Sequence, residues 1–483
     1  MQTSEAQPTS RHAATLLLAA LVLAEIVSAV EATMVFAAMR VFYREFGDPV
    51  LVGWIITAFL LVAAASASVC SRLGDMFGRR RLLLIVLVFA GLGSLISAGA
   101  DSPAMVILGR AVQGMAGAVM PLCFGLVREN LPARRVPLGI GIVSAAAFVS
   151  GGAAIFIGGV LVDQLSWHWI FYVGAATAVL AIVAVWLWVP RAAALSSREP
   201  VDWLGALLLV PAIAAVLLGI SNARAWGWGD ARTLALVLGG AATLGLWVWH
   251  ELHTRVPLID VRLLGQRQLA LANLGMVLLA LGPLQSGLVL SLLLQQPQWT
   301  GVGLGLSATL AGLILAPPMV LAVLVGPGCG LLAMRSDGAR LPALLACGCQ
   351  LVGWGGMALH HDSLPFVVAM ALLQGIGMAM AYAAVPMLIV EVAPAERTSE
   401  VTGVSSVIRY VSNAVGSQVV ALLLAQAIVS DPARGPGSYP APAAFALTLG
   451  VIAALCVLSL VVTACLPAAR RAAAPVGEAV RVG

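Results

Sequence analysis

The sequence predicts an all-α polytopic membrane protein, and three observations carry that expectation. Hydrophobic residues make up 61% of the chain and charged residues only 10%, a balance that a water-soluble domain does not sustain. Apolar runs of about 20 residues, the length a helix needs to cross a bilayer, recur from one end to the other. The 26 basic residues, all arginine, are spread over short breaks between those runs. They form no nucleic-acid patch and read instead as the charge asymmetry that orients membrane helices. In lipid the backbone must satisfy its own hydrogen bonds, so spans of this kind are helical.

Marked between breaks bearing Arg, Pro or Gly, the runs number about fourteen. They are 13–39, 50–70, 82–99, 103–127, 136–162, 168–189, 203–222, 231–249, 268–294, 304–333, 341–359, 364–391, 401–428 and 442–466. An even number puts both termini on one side, and the arginine bias makes that side the cytoplasmic face of the cell membrane. Residues 1–12 and 468–483 are then cytoplasmic tails. The first run is too long for a signal-peptide core and is read as retained. Tryptophans near span ends, such as Trp167, Trp169, Trp186 and Trp188, are interfacial anchors.

The chain also repeats itself. Glu129, Pro132, Ala133, Arg135, Gly141 and Ser144 recur at a constant offset as Glu391, Pro394, Ala395, Arg397, Gly403 and Ser406. One residue out of register, Gln113 and Gly114 recur as Gln374 and Gly375. The fourth-to-fifth junction thus matches the twelfth-to-thirteenth. This divides the chain into six-helix halves, 13–190 and 263–467, flanking a linker at 191–262 with two extra helices. Parallel repeats of this kind build a central site that rocks between the two membrane faces.

The first span carries Glu25 and Glu31 inside an apolar run. A carboxylate at such depth costs about 2.5 to 3.5 kcal/mol on insertion scales, so it faces a protein interior or a water-filled path. Their spacing turns the helix by about 240° and climbs about 9 Å, which places them on different faces at different depths. Arg110 in span four lies within about 3 Å of the depth of Glu31, and the pair is read as proton-coupling or as a structural ion pair. Opposite charge and burial act on a carboxyl in opposite senses, so spacing leaves the sense of its shift open. Glu25, nearer mid-membrane, is either a substrate-cavity acid or a carboxyl kept protonated beside Ser28.

Between spans two and three stands SRLGDMFGRRRLL at 71–83. Gly74 and Gly78 allow a tight turn, Arg79, Arg80 and Arg81 hold it inside by charge, and Asp75 is the lone acid. The stretch resembles the G-x-L-x-D-x-x-G-R-R signature of the major facilitator superfamily, with Ser71 for the first Gly. The resemblance implies a conformational latch in which Asp75 faces the N-terminal end of span 13, a favourable place for a carboxylate. Arg409, two turns into that span, is a second expected partner. The equivalent loop at 330–340, GLLAMRSDGAR, has lost the acid at the matching position. ILGRAVQGMAGA at 107–118 resembles the superfamily's R-x-x-x-G signature through Arg110 and Gly114, the latter a close-packing position. In span five Gly151, Gly152, Gly158 and Gly159 lie on nearly one face and read as a packing surface. The antiporter motif G-x-x-x-G-P-x-x-G-G is only partly present, with Ser150, Ala154 and Ile155 at three of its positions. VEATMV at 30–35 is similar to the L-D-x-T motif of fourteen-helix drug:proton antiporters, with Glu31 for Asp. VDWLGALLL at 201–209, AWGWGD at 225–230 and HELHTRVPLID at 250–260 resemble the segments bracketing that branch's inserted helices.

The resemblance implies export of lipophilic, often cationic, small molecules against proton entry, by a monomer in the lipid bilayer. A uniporter, or an exporter of a metabolite or lipid, and a transport-inactive sensor or scaffold are the alternatives. Seven cysteines scattered through apolar runs make no extracellular framework, and CGC at 347–349 is too close-spaced for a metal site. No cofactor or metal is expected, nor an enzyme: no span pairs metal-ligating His or Asp, and no nucleophile motif is present.

Overall fold

The computed structural model describes residues 11–467 apart from 47–48, 192–201, 256, 258–260, 307, 316, 337, 425 and 431–438. Both expected tails, bar Arg11 and His12, and part of the linker lie outside the described residues. The helices run in chain order as α1 (Arg11–Thr33), α2 (Met39–Phe46), α3 (Pro49–Phe77), α4 (Arg79–Ala98), α5 (Pro103–Gln113), α6 (Val119–Asn130), α7 (Val136–Gln164) and α8 (His168–Trp188). The inserted pair is α9 (Trp203–Trp226) and α10 (Ala231–His253), followed by the short α11 (Val261–Leu264). The second half comprises α12 (Arg267–Leu281), α13 (Ser286–Gln295), α14 (Ala308–Leu315), α15 (Pro317–Arg335), α16 (Arg340–Leu359), α17 (Leu364–Val392), α18 (Thr398–Leu424) and α19 (Pro442–Ala464). A two-residue antiparallel pairing, Ile428–Val429 with Tyr439–Pro440, precedes α19.

Among the described residues, 13 helices are long and apolar enough to cross a membrane, and α9 contains the shorter apolar stretch Leu207–Ile220, so the count is close to the fourteen expected. Several spans are broken where the sequence reads as continuous. The first passes at Met34 into a 3₁₀ turn, Met34–Ala38, and the fourth does the same at Gly114–Ala118. Such tight turns inside a helix mark hinges, and they follow directly on Glu31 and on Arg110 with Gln113. The ninth span breaks between α12 and α13, where the carbonyl of Pro283 accepts from Trp354 Nε1 (3.1 Å) and Gln374 Nε2 (3.4 Å). A break inside hydrocarbon persists only with partners of this kind.

The repeat recurs as matched contacts. Gly93 of α4 packs against the backbone of Gln113, and Gly353 of α16 against that of Gln374. Glu129 accepts from Arg79 at the start of α4 (3.3 Å), while Glu391 accepts from the N–H of Ala339 at the start of α16 (2.7 Å). The repeated acid therefore anchors the start of the same span in each half.

The halves meet along α3 against α18 and α7 against α15. Both crossings are at glycine: Gly403 lies on Ala67 and Ser71, and Gly141 on the backbone of Gly326. Small residues let helices in lipid approach this closely. The inserted pair rests through α9 on α3 and α18, one helix from each half.

A Cβ at Gly141 would collide with the Gly326 carbonyl, whereas one at Gly159 meets nothing within 4 Å. Overpacking a tight contact costs about 1–3 kcal/mol. Gly141→Val is therefore expected to lower the melting temperature of the purified protein by several degrees, and Gly159→Ala to leave it unchanged. Equal melting of the two variants would contradict the α7–α15 contact.

Candidate functional site

Glu31, on the last turn of α1, is 4% exposed. Its carboxylate points toward α4 and α8, accepting from the hydroxyl of Ser94 and lying against Gly174. Arg110, 1% exposed, sits beside it. The guanidinium does not grip the carboxylate. Nη1 donates to the backbone carbonyl of Glu31 (2.5 Å) and to Gln113 Oε1 (2.9 Å), Nε donates to the carbonyl of Ile55 (3.1 Å), and the group lies over the ring of Phe59 at 4.3 Å. Gln113 Nε2 then donates to Ser94 Oγ (2.8 Å). The charge pair expected from matched depths is thus indirect, running from Arg110 through Gln113 and Ser94 to Glu31. Its cause is orientation: the fork of Arg110 is engaged by carbonyl and amide oxygens, leaving the carboxylate to the hydroxyl of Ser94 and the amide of Gln113. Ser94 was not singled out by the sequence, and Gln113 appeared there only as part of the repeat. A polar pair on one level with the buried charges was the available signal.

Glu25 occupies another face of α1. It is 2% exposed, and its Oε2 has no hydrogen-bond partner among the described residues. Ser28, expected as its local partner, donates instead to the carbonyl of Ala116 (3.3 Å). The group within electrostatic range of Glu25 is Arg409 of α18, across the interface between halves.

This position of Arg409 corrects its assignment to the latch. About three turns along α18 carry it away from Asp75 to the middle of the bundle, where it lies over the rings of Tyr382 (5.5 Å) and Tyr410 (5.1 Å), with Met120 Sδ at 4.0 Å. It lines a hollow of about 30 Å³ with Met120, Phe124, Tyr382 and Ser406.

The latch itself is built from Asp75, Arg79 and the start of α18. Asp75 Oδ2 accepts from the N–H of Glu400 (2.8 Å), and Oδ1 from Arg79 Nε (2.6 Å). This carboxylate at the positive end of a helix is the placement the resemblance implied. Two details differ from the sequence reading. Helix α3 continues to Phe77, so Gly74 is helical and packs on Leu122, and the turn is made by Gly78 alone, at φ 102°. Arg79 is not a solvated loop cation: at 7% exposure it also donates to the carbonyls of Gly125, Ala395 and Glu396. Arg72 pairs with Glu400 at 3.0 Å, and Arg128 donates to the carbonyls of Val390 and Ala393. These contacts join the halves at the arginine-rich end.

Of the glycines expected to pack, Gly114 lies on Phe59, Val62 and Ala63 of α3, Gly151 faces Thr33, and Gly158 meets Met34 and Ala37. Gly159 touches nothing within 4 Å and leaves the packing face. Gly152 is a half-buried position on the same helix.

A sequence model described as Major Facilitator Superfamily matches residues 21–417. The chain is similar to the multidrug resistance protein B homolog of Mycobacterium tuberculosis, 29% identical over 83% of this chain and 75% of that protein. It is also similar to the tetracenomycin C resistance and export protein of Streptomyces glaucescens, 27% identical over 78% of this chain and 69% of the other. Among solved structures, the human organic anion transporter MFSD10 superposes with a TM-score of 0.63 at 16% identity, covering 95% of this chain and all of that one. The proton:xylose symporter XylE gives the same TM-score at 13% identity, over 94% and 96% of the two chains. At these identities the two structures show the fold alone.

Removing the charge of Asp75 leaves the buried guanidinium of Arg79 short of a partner, a loss of the kind that costs several kcal/mol. Asp75→Asn is expected to loosen the arginine-rich end. In a background without native cysteines, a cysteine at Ala393, buried in the closed latch, should then label several-fold faster than in the parent. An unchanged rate would contradict the latch.

Proposed function

The chain belongs to the major facilitator superfamily, a family of transporters, and on that premise we propose that it is a proton-coupled exporter of drug-like small molecules. The names of its relatives, in multidrug resistance and in tetracenomycin C resistance and export, support that substrate class. The observation that carries the coupling is the chain of bonds from Glu31 through Ser94 and Gln113 to Arg110, set where two spans turn into 3₁₀ hinges. Protonating Glu31 weakens its acceptance from Ser94 and frees that hydroxyl, which repacks α1 against α4 and α8 at the hinge. A ligand shifts an equilibrium between two states by its difference in affinity for them, and a proton at Glu31 does so here.

The arginine-rich end is the cytoplasmic one on the positive-inside rule, with both termini on that side of the cell membrane. The contacts of Arg72, Asp75, Arg79 and Arg128 join the halves at that end, which supports a stage of the cycle closed to the cytoplasm. Glu31 is then loaded with a proton from outside while the compound leaves. When the latch opens, the proton passes to the cytoplasm and the next compound enters. Each ligand favours the state that the other does not, which makes the two fluxes exchange. A monomer suffices, because the route lies between the two halves of one chain.

In liposomes with an imposed pH gradient, Glu31→Gln is expected to reduce compound-dependent proton flux by roughly ten- to a hundredfold, the size of a coupling free energy of 1–3 kcal/mol. The variant should remain folded and monodisperse. Normal proton-coupled export by Glu31→Gln would remove this mechanism.

A further inference from the structure

The hollow between the halves carries charge of one sign. Of the described residues that line it, Arg409 of α18 is the only charged side chain. It is half-buried there, over the rings of Tyr382 (5.5 Å) and Tyr410 (5.1 Å), beside the sulfur of Met120 (4.0 Å), and it donates to the Tyr382 hydroxyl. Among the described residues no carboxylate lies within 4.0 Å of its guanidinium, and Glu25 of α1 does not line the hollow. The hydroxyls on the same wall point their protons elsewhere. Ser405 donates to the carbonyl of Val401 (3.1 Å), Ser406 to that of Thr402 (2.9 Å) and Thr402 to that of Thr398 (2.8 Å). Those protons are spent within α18, so the guanidinium is the charged donor that this wall presents. Arg110 differs, because its fork is engaged by carbonyl and amide oxygens. A neutral phenol and two ring faces do not cancel the charge of Arg409. A charge at this depth is costly without a counter-charge, and a guanidinium fork is matched by a carboxylate that accepts two parallel bonds.

We propose that this centre, acting within the exporter described above, selects aromatic anions: compounds whose carboxylate or phenolate meets Arg409 while a flat ring system lies against Phe124, Tyr382 and Met120. Aromatic faces and a thioether suit such a frame. Simple lipophilic cations are turned away by the same guanidinium, since juxtaposed like charge is an effective device of rejection. The hollow of about 30 Å³ holds a water or two, so the compound is received when the halves part around these residues. Met120 and Phe124 belong to α6 in the first half and Arg409 to α18 in the second, so a compound held by both sides bridges the halves. Outward passage of an anion and inward passage of a proton move charge in the same sense. The membrane potential acts on each of those charges and drives both, whereas a cation exchanged one for one with a proton moves no net charge.

Three probes on one anthracene frame separate the classes: anthracene carboxylate, its methyl ester and anthrylmethyl trimethylammonium, which are anion, neutral compound and cation. Binding to the purified full-length protein is read by fluorescence titration, and proton-linked flux of each probe is measured in liposomes with and without an imposed potential. The carboxylate is expected to bind roughly tenfold more tightly than the ester, the low end of what a hydrogen bond to a charged group supplies, and the ammonium more weakly than either. Arg409→Gln should erase the gap between carboxylate and ester. Arg409→Lys, which keeps the charge and loses the fork, should keep the order and narrow the gap. Flux of the carboxylate should rise several-fold under a potential negative on the side it leaves. Ester or ammonium binding as tightly as the carboxylate, binding of none of the three, or carboxylate flux indifferent to the potential overturns the proposal. So does an unchanged gap in a folded Arg409→Gln protein or, should that variant not fold, in Arg409→Lys. Should the ammonium bind best and be exported in a Glu31-dependent way, the selectivity falls and the exporter reading stands. Should the carboxylate bind best without any proton-linked flux, the exporter reading falls and the selectivity stands.

Discussion

A charge in hydrocarbon must find partners or be removed, and the arrangement of this protein follows from how it meets that constraint. Arg110 is the clearest case. Buried beneath Phe59, it divides its donors among a carbonyl of α3, a carbonyl of α1 and the amide of Gln113. It thereby pins three spans to one another at a single level. The acid next to it is held by the hydroxyl of Ser94 and the amide of Gln113, against the close approach of a glycine on α8. A guanidinium held by backbone carbonyls and joined to the carboxyl through two polar side chains is an asymmetric device: one end is fixed, and the other can change its ionisation without dismantling the bundle.

At the arginine-rich end the same constraint makes a different object. Arg72, Arg79 and Arg128 are satisfied largely by groups of the opposite half, partly carboxylates and partly the free carbonyls around Ala393 and Ala395. Carbonyls at the end of a helix carry partial negative charge. The closure therefore depends on bonds that water can replace once the helices separate, which suits a seal that must open and reform. The glycine crossings of α3 on α18 and α7 on α15 set how near the halves come. Packing and charge thus act together at one end of the molecule.

Much of this was legible in the sequence. Span positions, the paired junctions and the depth agreement of Glu31 with Arg110 follow from hydropathy, self-comparison and helical rise, because each depends on axial position alone. What escaped depends on azimuth and on neighbours. Depth gives no direction for the Glu31 carboxyl, so the route through Ser94 and Gln113 was invisible. Gly74 reads as a turn residue until α3 is seen to run on to Phe77. Arg409 was assigned to the latch by its nearness along the helix, but α18 begins at Thr398 and about three turns take it to the middle of the bundle. The cue was present: an arginine at mid-span in a half without a buried acid at its depth requires a partner from the other half.

The central claim is that the Glu31 carboxyl changes its ionisation during the cycle. Infrared difference spectroscopy of the purified protein, with and without an exported compound, reads that change directly in the carboxyl C=O stretching region. The account predicts a compound-induced carboxyl band that is absent from Glu31→Gln. A carboxyl region that does not respond to the compound, or that responds identically in the variant, would contradict it.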